Sequence, residues 1–112
     1  MIRAPIQNYS LDPRLLCLKE CRKCKLNPKD NPAALQVVPG LGNLQSKMAL
    51  IFEAPAEQEA ETGFPVVGFS FQIIEWLTER YGFNELTDFF RSNVTLCRKP
   101  DDAKASAGEK RK

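Results

Sequence analysis

The sequence has no histidine, so the side chain that most often serves as a general base or a zinc ligand is missing from these 112 residues. Any chemistry must come from carboxylates, cysteines, amides or the backbone. No apolar run approaches the ~18 residues that a membrane-spanning helix needs, and the first residues lack the basic-then-apolar pattern of a signal peptide. These absences exclude histidine-dependent catalysis by this sequence and predict a cytoplasmic location.

Length and composition describe one soluble globular domain. With 112 residues, 43% hydrophobic and 27% charged, the chain can bury a core but is too short for two domains. Residues 101–112 contain no apolar side chain larger than alanine, and seven of the twelve are charged. We therefore expect a domain over residues 1–100 and a disordered basic tail over residues 101–112.

The formal net charge of +2 conceals an uneven distribution. Residues 14–25 and 98–112 carry net charges of about +4 and +3, whereas residues 52–88 carry about −7. The basic segments can contact phosphates, and they can equally form solvated surfaces. Charge alone does not decide between these interpretations.

Four cysteines form a close trio and a distant single residue: Cys17, Cys21, Cys24 and Cys97. In a chain without secretion signals, this clustering indicates metal or cluster ligation rather than disulfides. Four thiolates suffice for a 4Fe-4S cluster or a tetrahedral zinc ion. Relic cysteines, some free and buried, remain an equal alternative.

Hydrophobic patterning predicts an α/β fold. Asp12-Pro13 begins a short helix that ends near Cys24, and the apolar run of residues 47–52 predicts a buried parallel strand followed by a long loop over residues 53–67. Apolar residues at helical spacing predict an amphipathic helix over residues 69–81, closed by Gly82. A second strand over residues 89–96 completes a βαβ unit and brings Asn93 and Cys97 to the same sheet edge as the loop that begins at Glu53.

Several short motifs occur in an order that resembles one known family. They are Cys21 to Leu26, Val37 to Asn43, Glu53-Ala54-Pro55, Thr62-Gly63 with Pro65 and Val67-Gly68, and Asn93-Val94 with Cys97-Arg98 and Pro100. Each motif alone is common, but five in the right order are hard to obtain by chance. Over residues 21–100 the sequence resembles the N-terminal half of the family 4 iron-sulfur uracil-DNA glycosylases.

The resemblance implies a partial three-layer α/β/α fold with a short parallel sheet. It also implies a 4Fe-4S cluster and hydrolysis of the N-glycosidic bond of deoxyuridine in DNA, after the base leaves the stack. Cys21, Cys24 and Cys97 match cluster ligands. The fourth family cysteine would fall just beyond Lys112, so Cys17 is the candidate substitute.

The same resemblance assigns an active site. Glu53 and Glu59 match the acidic catalytic residues of the first motif, and Asn93 matches the amide that binds uracil, next to Ala54 and Val66. An asparagine can donate a hydrogen bond to a uracil carbonyl and accept one from its imide NH. Without the resemblance, the glutamates are a solvated acidic loop and Asn93 caps a turn.

Some residues depart from the family pattern. Val66 stands where the family has the phenylalanine on which uracil stacks, and Phe64 and Phe69 replace arginines expected to face phosphate. The family motif with the active-site histidine lies well beyond Lys112. We therefore expect an incomplete glycosylase that is weakly active or inactive alone, with DNA as its partner.

Two alternatives belong to other functional classes. The first is a non-catalytic DNA- or protein-interaction module derived from this fold, for example within a replication protein, whose open sheet edge and phenylalanines contact a protein partner. The seven phenylalanines would then form core or interface rather than stack on bases. The second is a small thiolate metal-binding protein.

Overall fold

The computed structural model describes residues 6–100, which form a small mixed α/β fold. We name three strands and two α-helices in chain order: β1 (Leu41–Gly42), β2 (Ala49–Phe52), α1 (Glu57–Thr62), α2 (Phe71–Tyr81) and β3 (Phe90–Asn93). Short 3-10 helices span Ile6–Asn8, Pro13–Glu20 and Pro32–Ala34. The predicted tail over residues 101–112 lies outside the described residues.

The sheet has the order β1-β3-β2, so β3 is its central strand. β2 and β3 are parallel and are joined through α1 and α2, which confirms the predicted βαβ unit. β1 pairs with β3 in the antiparallel direction, so the sheet is mixed, and the prediction of a purely parallel sheet is wrong. Only two residues of β1 pair, and so short a strand leaves no hydrophobic pattern from which it could be predicted.

The two faces of the sheet have different environments. Leu50, Phe52, Arg91 and Asn93 share one face, which we call the inner face because α2 packs against it. Ala49, Ile51, Phe90 and Ser92 share the outer face. Ile51 is 56% exposed, so the prediction that β2 is fully buried is wrong. The reason is that β2 is an edge strand and, within residues 6–100, its outer face is not covered.

α2 confirms the predicted amphipathic helix, although it begins at Phe71 rather than Phe69. Phe71 and Ile74 are buried against the inner face, and Leu77 packs beside them. Gly82 ends the helix with a φ of 75°, and its NH donates to the Thr78 carbonyl. Glycine suits this position because it adopts a positive φ without strain.

The helix that carries the first cysteine is tighter and shorter than predicted. Residues Pro13–Glu20 form a 3-10 helix in which the Asp12 side chain accepts the Arg14 NH, and the chain leaves the helix at Cys21 rather than near Cys24. None of its residues is buried, so no apolar face supports a longer α-helix. The expected placement of Cys17 and Cys21 on one helix face is therefore wrong.

The segment over residues 53–67, predicted to be one long loop, contains α1. Its N-terminus is stabilised because the Glu59 carboxylate accepts the Ala56 NH, and it ends at Gly63, which has a φ of 85°. A six-residue helix within a segment rich in proline and glycine produces no clear periodicity.

The main core lies between α2, the inner face and the N-terminal segment. It contains Tyr9, Leu41, Val66, Val67, Phe71, Ile74 and Phe89, and most of the remaining phenylalanines pack around it. The phenylalanines therefore act mainly as core, with Phe69 the largest exception at 78% exposed. None of the helices within residues 6–100 is long and apolar enough to cross a membrane.

Candidate functional site

Asn93 is the last residue of β3 and points into the protein. It is only 7% exposed, and its Nδ2 atom has no hydrogen-bond partner. The backbone around it is fixed, because the NH of Val94 donates to the Phe52 carbonyl over 2.7 Å. Buried amide groups are almost always paired, so an unpartnered donor here is a feature that requires an explanation.

Glu53 follows β2 and lies at the same sheet edge as Asn93. Its carbonyl accepts the Thr95 NH over 3.1 Å, which confirms that the two strand ends meet. Its carboxylate is 80% exposed and lies 2.6 Å from the Lys99 ammonium group. The hydrogen bond from Lys99 lowers the pKa of this carboxyl, so Glu53 presents an ionised group to solvent.

Glu59 has the opposite environment, although it belongs to the same motif. It is 5% exposed, and both of its carboxylate oxygens accept backbone NH groups. Oε1 accepts the Ala56 NH at 3.1 Å. Oε2 accepts the NH of Val67 at 3.0 Å and that of Gly68 at 2.8 Å. Glu59 therefore joins α1 to the segment that follows it.

Val66 and Ala54, the predicted pocket residues, differ in burial. Val66 is buried in the main core with a φ of 55°, a conformation that a β-branched residue rarely adopts. Phe52 packs against that same core and pairs with Asn93 across the sheet. Ala54 is partly buried between β2 and α1 in the chain. Phe52 thus lies beside Asn93 in the sheet and packs against the core that contains Val66.

Three of the four cysteines lie in one neighbourhood. Cys97 is buried with Ala34 and Val37, and Cys21 packs beside them. Burial, and then the nearby thiols of Cys24 and Cys21, raise the pKa of the Cys97 thiol. Cys17 is exposed outside this cluster, and its Sγ lies 4.0 Å from the Arg14 carbonyl oxygen.

The cysteine cluster suits a thiolate-bound group in its chemistry, since three sulfur donors share one partly buried region. All four thiols are free. Within residues 6–100, however, no three candidate ligands are arranged closely enough to form a complete metal site. The chemistry of the thiols therefore matches such a group, but the cysteines do not surround one point in this conformation, and Cys17 lies outside the cluster.

A polar network connects the cysteine segment to α1, and sequence patterns give no sign of it. Lys19 Nζ donates to Gln36 Oε1 at 2.6 Å and to the Val37 carbonyl at 2.7 Å. Gln36 Nε2 donates in turn to the Ala60 carbonyl at 2.9 Å, near the end of α1. Burial lowers the pKa of Lys19. The cysteine and glutamate motifs are thereby held together.

A second unpredicted cluster lies on the inner face, two residues before Asn93. The Arg91 side chain is fully buried, its Nη1 lies 3.0 Å from Glu85 Oε1, and its guanidinium lies 4.8 Å above the Tyr9 ring. The Tyr9 hydroxyl donates to the same Glu85 oxygen over 2.6 Å, and burial, then this hydrogen bond, raise the pKa of Tyr9 to about 12. This cluster fixes the N-terminal segment on the core.

Curated proteins similar to this chain share one activity. The type-4 uracil-DNA glycosylase of Pyrobaculum aerophilum is 34% identical over 85 residues, which cover 76% of this chain and 41% of that protein. The same-named protein of Archaeoglobus fulgidus is 30% identical over 93 residues, covering 83% and 44%. This chain is related to the type-4 uracil-DNA glycosylases over part of their length. The Thermotoga maritima enzyme agrees, with 32% identity over 85 residues covering 76% and 42%.

The similarity confirms the resemblance inferred from the motifs, and its extent is limited. The chain spans about two fifths of the length of these type-4 relatives. No family model matches the chain. The similarity therefore extends over 85 to 93 residues of this chain, and the activity of a whole type-4 enzyme is not transferred to it by similarity alone.

Proposed function

We propose that this chain is a uracil-DNA glycosylase-like protein of base-excision repair that recognises uracil in DNA. Hydrolysis of the N-glycosidic bond by these 112 residues alone is weak or absent, because they span only about two fifths of the length of the type-4 relatives. The observation that carries the proposal is the unpartnered Nδ2 of Asn93, buried at the end of β3.

The chemistry of Asn93 suits uracil better than cytosine. Its Nδ2 can donate to a uracil carbonyl while its Oδ1 accepts from the imide NH. Cytosine presents an amino donor where uracil presents a carbonyl, so the same amide would face a donor with its own donor. Val66 and Ala54 would form the apolar wall of the pocket, which lacks an aromatic stacking partner.

Of the two glutamates predicted to be catalytic, Glu53 has the accessible carboxylate. Glu53 is exposed and ionised, so it can orient a water molecule or stabilise a cationic sugar. Basic residues over 14–25 and 98–100 would contact the phosphates of the bound strand.

The proposed cofactor is a 4Fe-4S cluster with a structural role. Cys21, Cys24 and Cys97 would hold it, and Cys17 would serve as fourth ligand only after the 3-10 helix rearranges. Such a cluster would join the cysteine segment to the chain that leaves β3. Iron and sulfide content after anaerobic purification tests this assignment, and Cys17→Ser tests the fourth ligand.

One experiment tests recognition and excision together. The anaerobically prepared full chain is mixed with single-stranded oligonucleotides that differ only in one base, uracil or cytosine. We measure binding by fluorescence anisotropy and uracil release under single-turnover conditions, with a complete type-4 enzyme as positive control. We expect tighter binding of the uracil strand and little release.

Asn93→Leu should remove the preference for uracil, because the donor and acceptor are lost while the shape of the side chain is kept. Asn43→Leu is the matched control, since Asn43 lies elsewhere and uses its amide on the Thr87 carbonyl. Equal binding of the two strands by the unchanged chain would contradict the proposal.

A second candidate function, a protein-interaction module, is favoured by the outer face of the sheet. β2 is an edge strand, and the exposed side of Ile51 lies where a three-layer fold would have its third layer. Val94 adds a further exposed apolar side chain after β3. Sedimentation of the pure chain at increasing concentration tests this function, and a monomer at every concentration would argue against self-association through this face.

A further inference from the structure

The Glu59 carboxylate accepts hydrogen bonds from the backbone. Three NH groups converge on its two oxygens, at 3.1 Å from Ala56, 3.0 Å from Val67 and 2.8 Å from Gly68. A carboxylate has about four acceptor sites, so most of its capacity is used. Since the side chain is also almost fully buried, it has little access to a water molecule that attacks a sugar.

The backbone that Glu59 holds is unusual. Val66, directly before the two donors, has a φ of 55°, and a β-branched residue persists in this region only where its surroundings enforce it. Gly68 also lies close to α1, because a Cβ atom on Gly68 would lie 3.2 Å from Gln58 Cβ. The segment from Val66 to Gly68 is therefore bound to α1 through the NH groups of Val67 and Gly68, which donate to Glu59.

We propose that Glu59 is a positioning residue, which sets the conformation of Val66–Gly68 and so holds the Val66 side chain in the core against which Phe52 packs. This inference rests on the proposed function, since it gives this segment its role as pocket wall. Of these two glutamates, Glu53 is then the one whose carboxylate faces solvent. The two glutamates, identical in type, have different tasks.

Amide hydrogen exchange of the full chain, followed by NMR, tests the inference without any activity. In Glu59→Ala, we expect exchange of the Val67 and Gly68 amides to accelerate at least tenfold relative to core amides of β3, because their acceptor is gone. Glu59→Gln retains one carboxamide oxygen and should give an intermediate rate. Glu61→Gln, which removes the same charge from an exposed position of α1, should leave both amides unchanged.

Binding of the uracil strand supplies the functional readout. We expect at least a tenfold loss of affinity in Glu59→Ala, partial rescue in Glu59→Gln and no change in Glu61→Gln. If Glu59→Ala does not fold, the Glu59→Gln variant carries both measurements. Unchanged amide exchange in the Glu59 variants would overturn the inference. Complete loss of binding in Glu59→Gln with native exchange at Val67 and Gly68 would also overturn it, because charge rather than positioning would then matter.

The two proposals can fail separately. If the unchanged chain binds uracil and cytosine strands equally, the proposed function is wrong, whatever the exchange rates are. If uracil is preferred and the Glu59 variants keep both the preference and the slow exchange, the function stands and the positioning role is refuted.

Discussion

Replacement of Asn93 by leucine should make the protein more stable while it removes uracil recognition. Leucine has the same branching as asparagine but no polar atoms. A buried polar group without a partner costs about 1–3 kcal/mol, and Nδ2 of Asn93 is such a group. We therefore expect the free energy of unfolding to rise by about 1–3 kcal/mol in Asn93→Leu. Guanidinium denaturation of the full chain measures it, provided that the slope of the transition is unchanged.

Asn27 provides the matched control, because it is equally buried but fully hydrogen-bonded. Its Nδ2 donates to the Cys24 carbonyl at 2.7 Å and to Asp30 at 2.9 Å, and its Oδ1 accepts the NH groups of Lys29 and Asp30. Asn27→Leu should lower the free energy of unfolding by at least about 2 kcal/mol. If Asn93→Leu is destabilised as much as Asn27→Leu, the Asn93 amide is satisfied in the free protein and our reasoning is refuted.

Three further predictions concern other strained or titrating residues. Leu35 is exposed at the centre of a γ-turn with a φ of 63°, so Leu35→Gly should relieve strain and raise the free energy of unfolding by about 1 kcal/mol, whereas Leu35→Ala should not. Tyr9 has its pKa raised from 10.0 to about 12, so its contribution to stability is complete below pH 10 and is lost as the pH rises towards 12. Denaturation across that range should show a smaller decline in Tyr9→Phe. The hydrogen bond from the Arg14 side chain lowers the pKa of Asp12 from 3.8 to about 2, so its stabilising effect is present above pH 3.8 and is lost towards pH 2. An NMR titration should place the Asp12 midpoint there, and Arg14→Gln should return it towards 3.8.

The sequence was sufficient to predict the elements whose signals are local. α2 has apolar residues at helical spacing and is followed by a glycine, and the structure confirms both the helix and its end at Gly82. The run that became β2 is apolar, and a helix separates it from β3, so the strand-helix-strand order predicts parallel pairing and the meeting of Glu53 with the end of β3. The predictions of single elements succeed because each depends on neighbouring residues only. The parallel pairing then follows from the order of those elements.

The position of a strand within the sheet could not be predicted in the same way. The apolar run of β2 is indistinguishable from that of a central strand, yet β2 lies at the edge because no strand within residues 6–100 pairs with its other side. The burial of Arg91 depends likewise on Tyr9 and Phe71, which are distant in sequence. Non-local contacts of this kind leave no periodic signal.

The different environments of Glu53 and Glu59 show most clearly where motif matching ends. A motif records side chains, whereas the partners of Glu59 are backbone NH groups eight and nine residues further along the chain. Those groups converge on one carboxylate because Val66 adopts a positive φ, a conformation that valine itself disfavours. The backbone turn after α1 therefore decides which of the two carboxylates can reach solvent, and hence a reacting water molecule. Both glutamates would match the same motif with or without that turn.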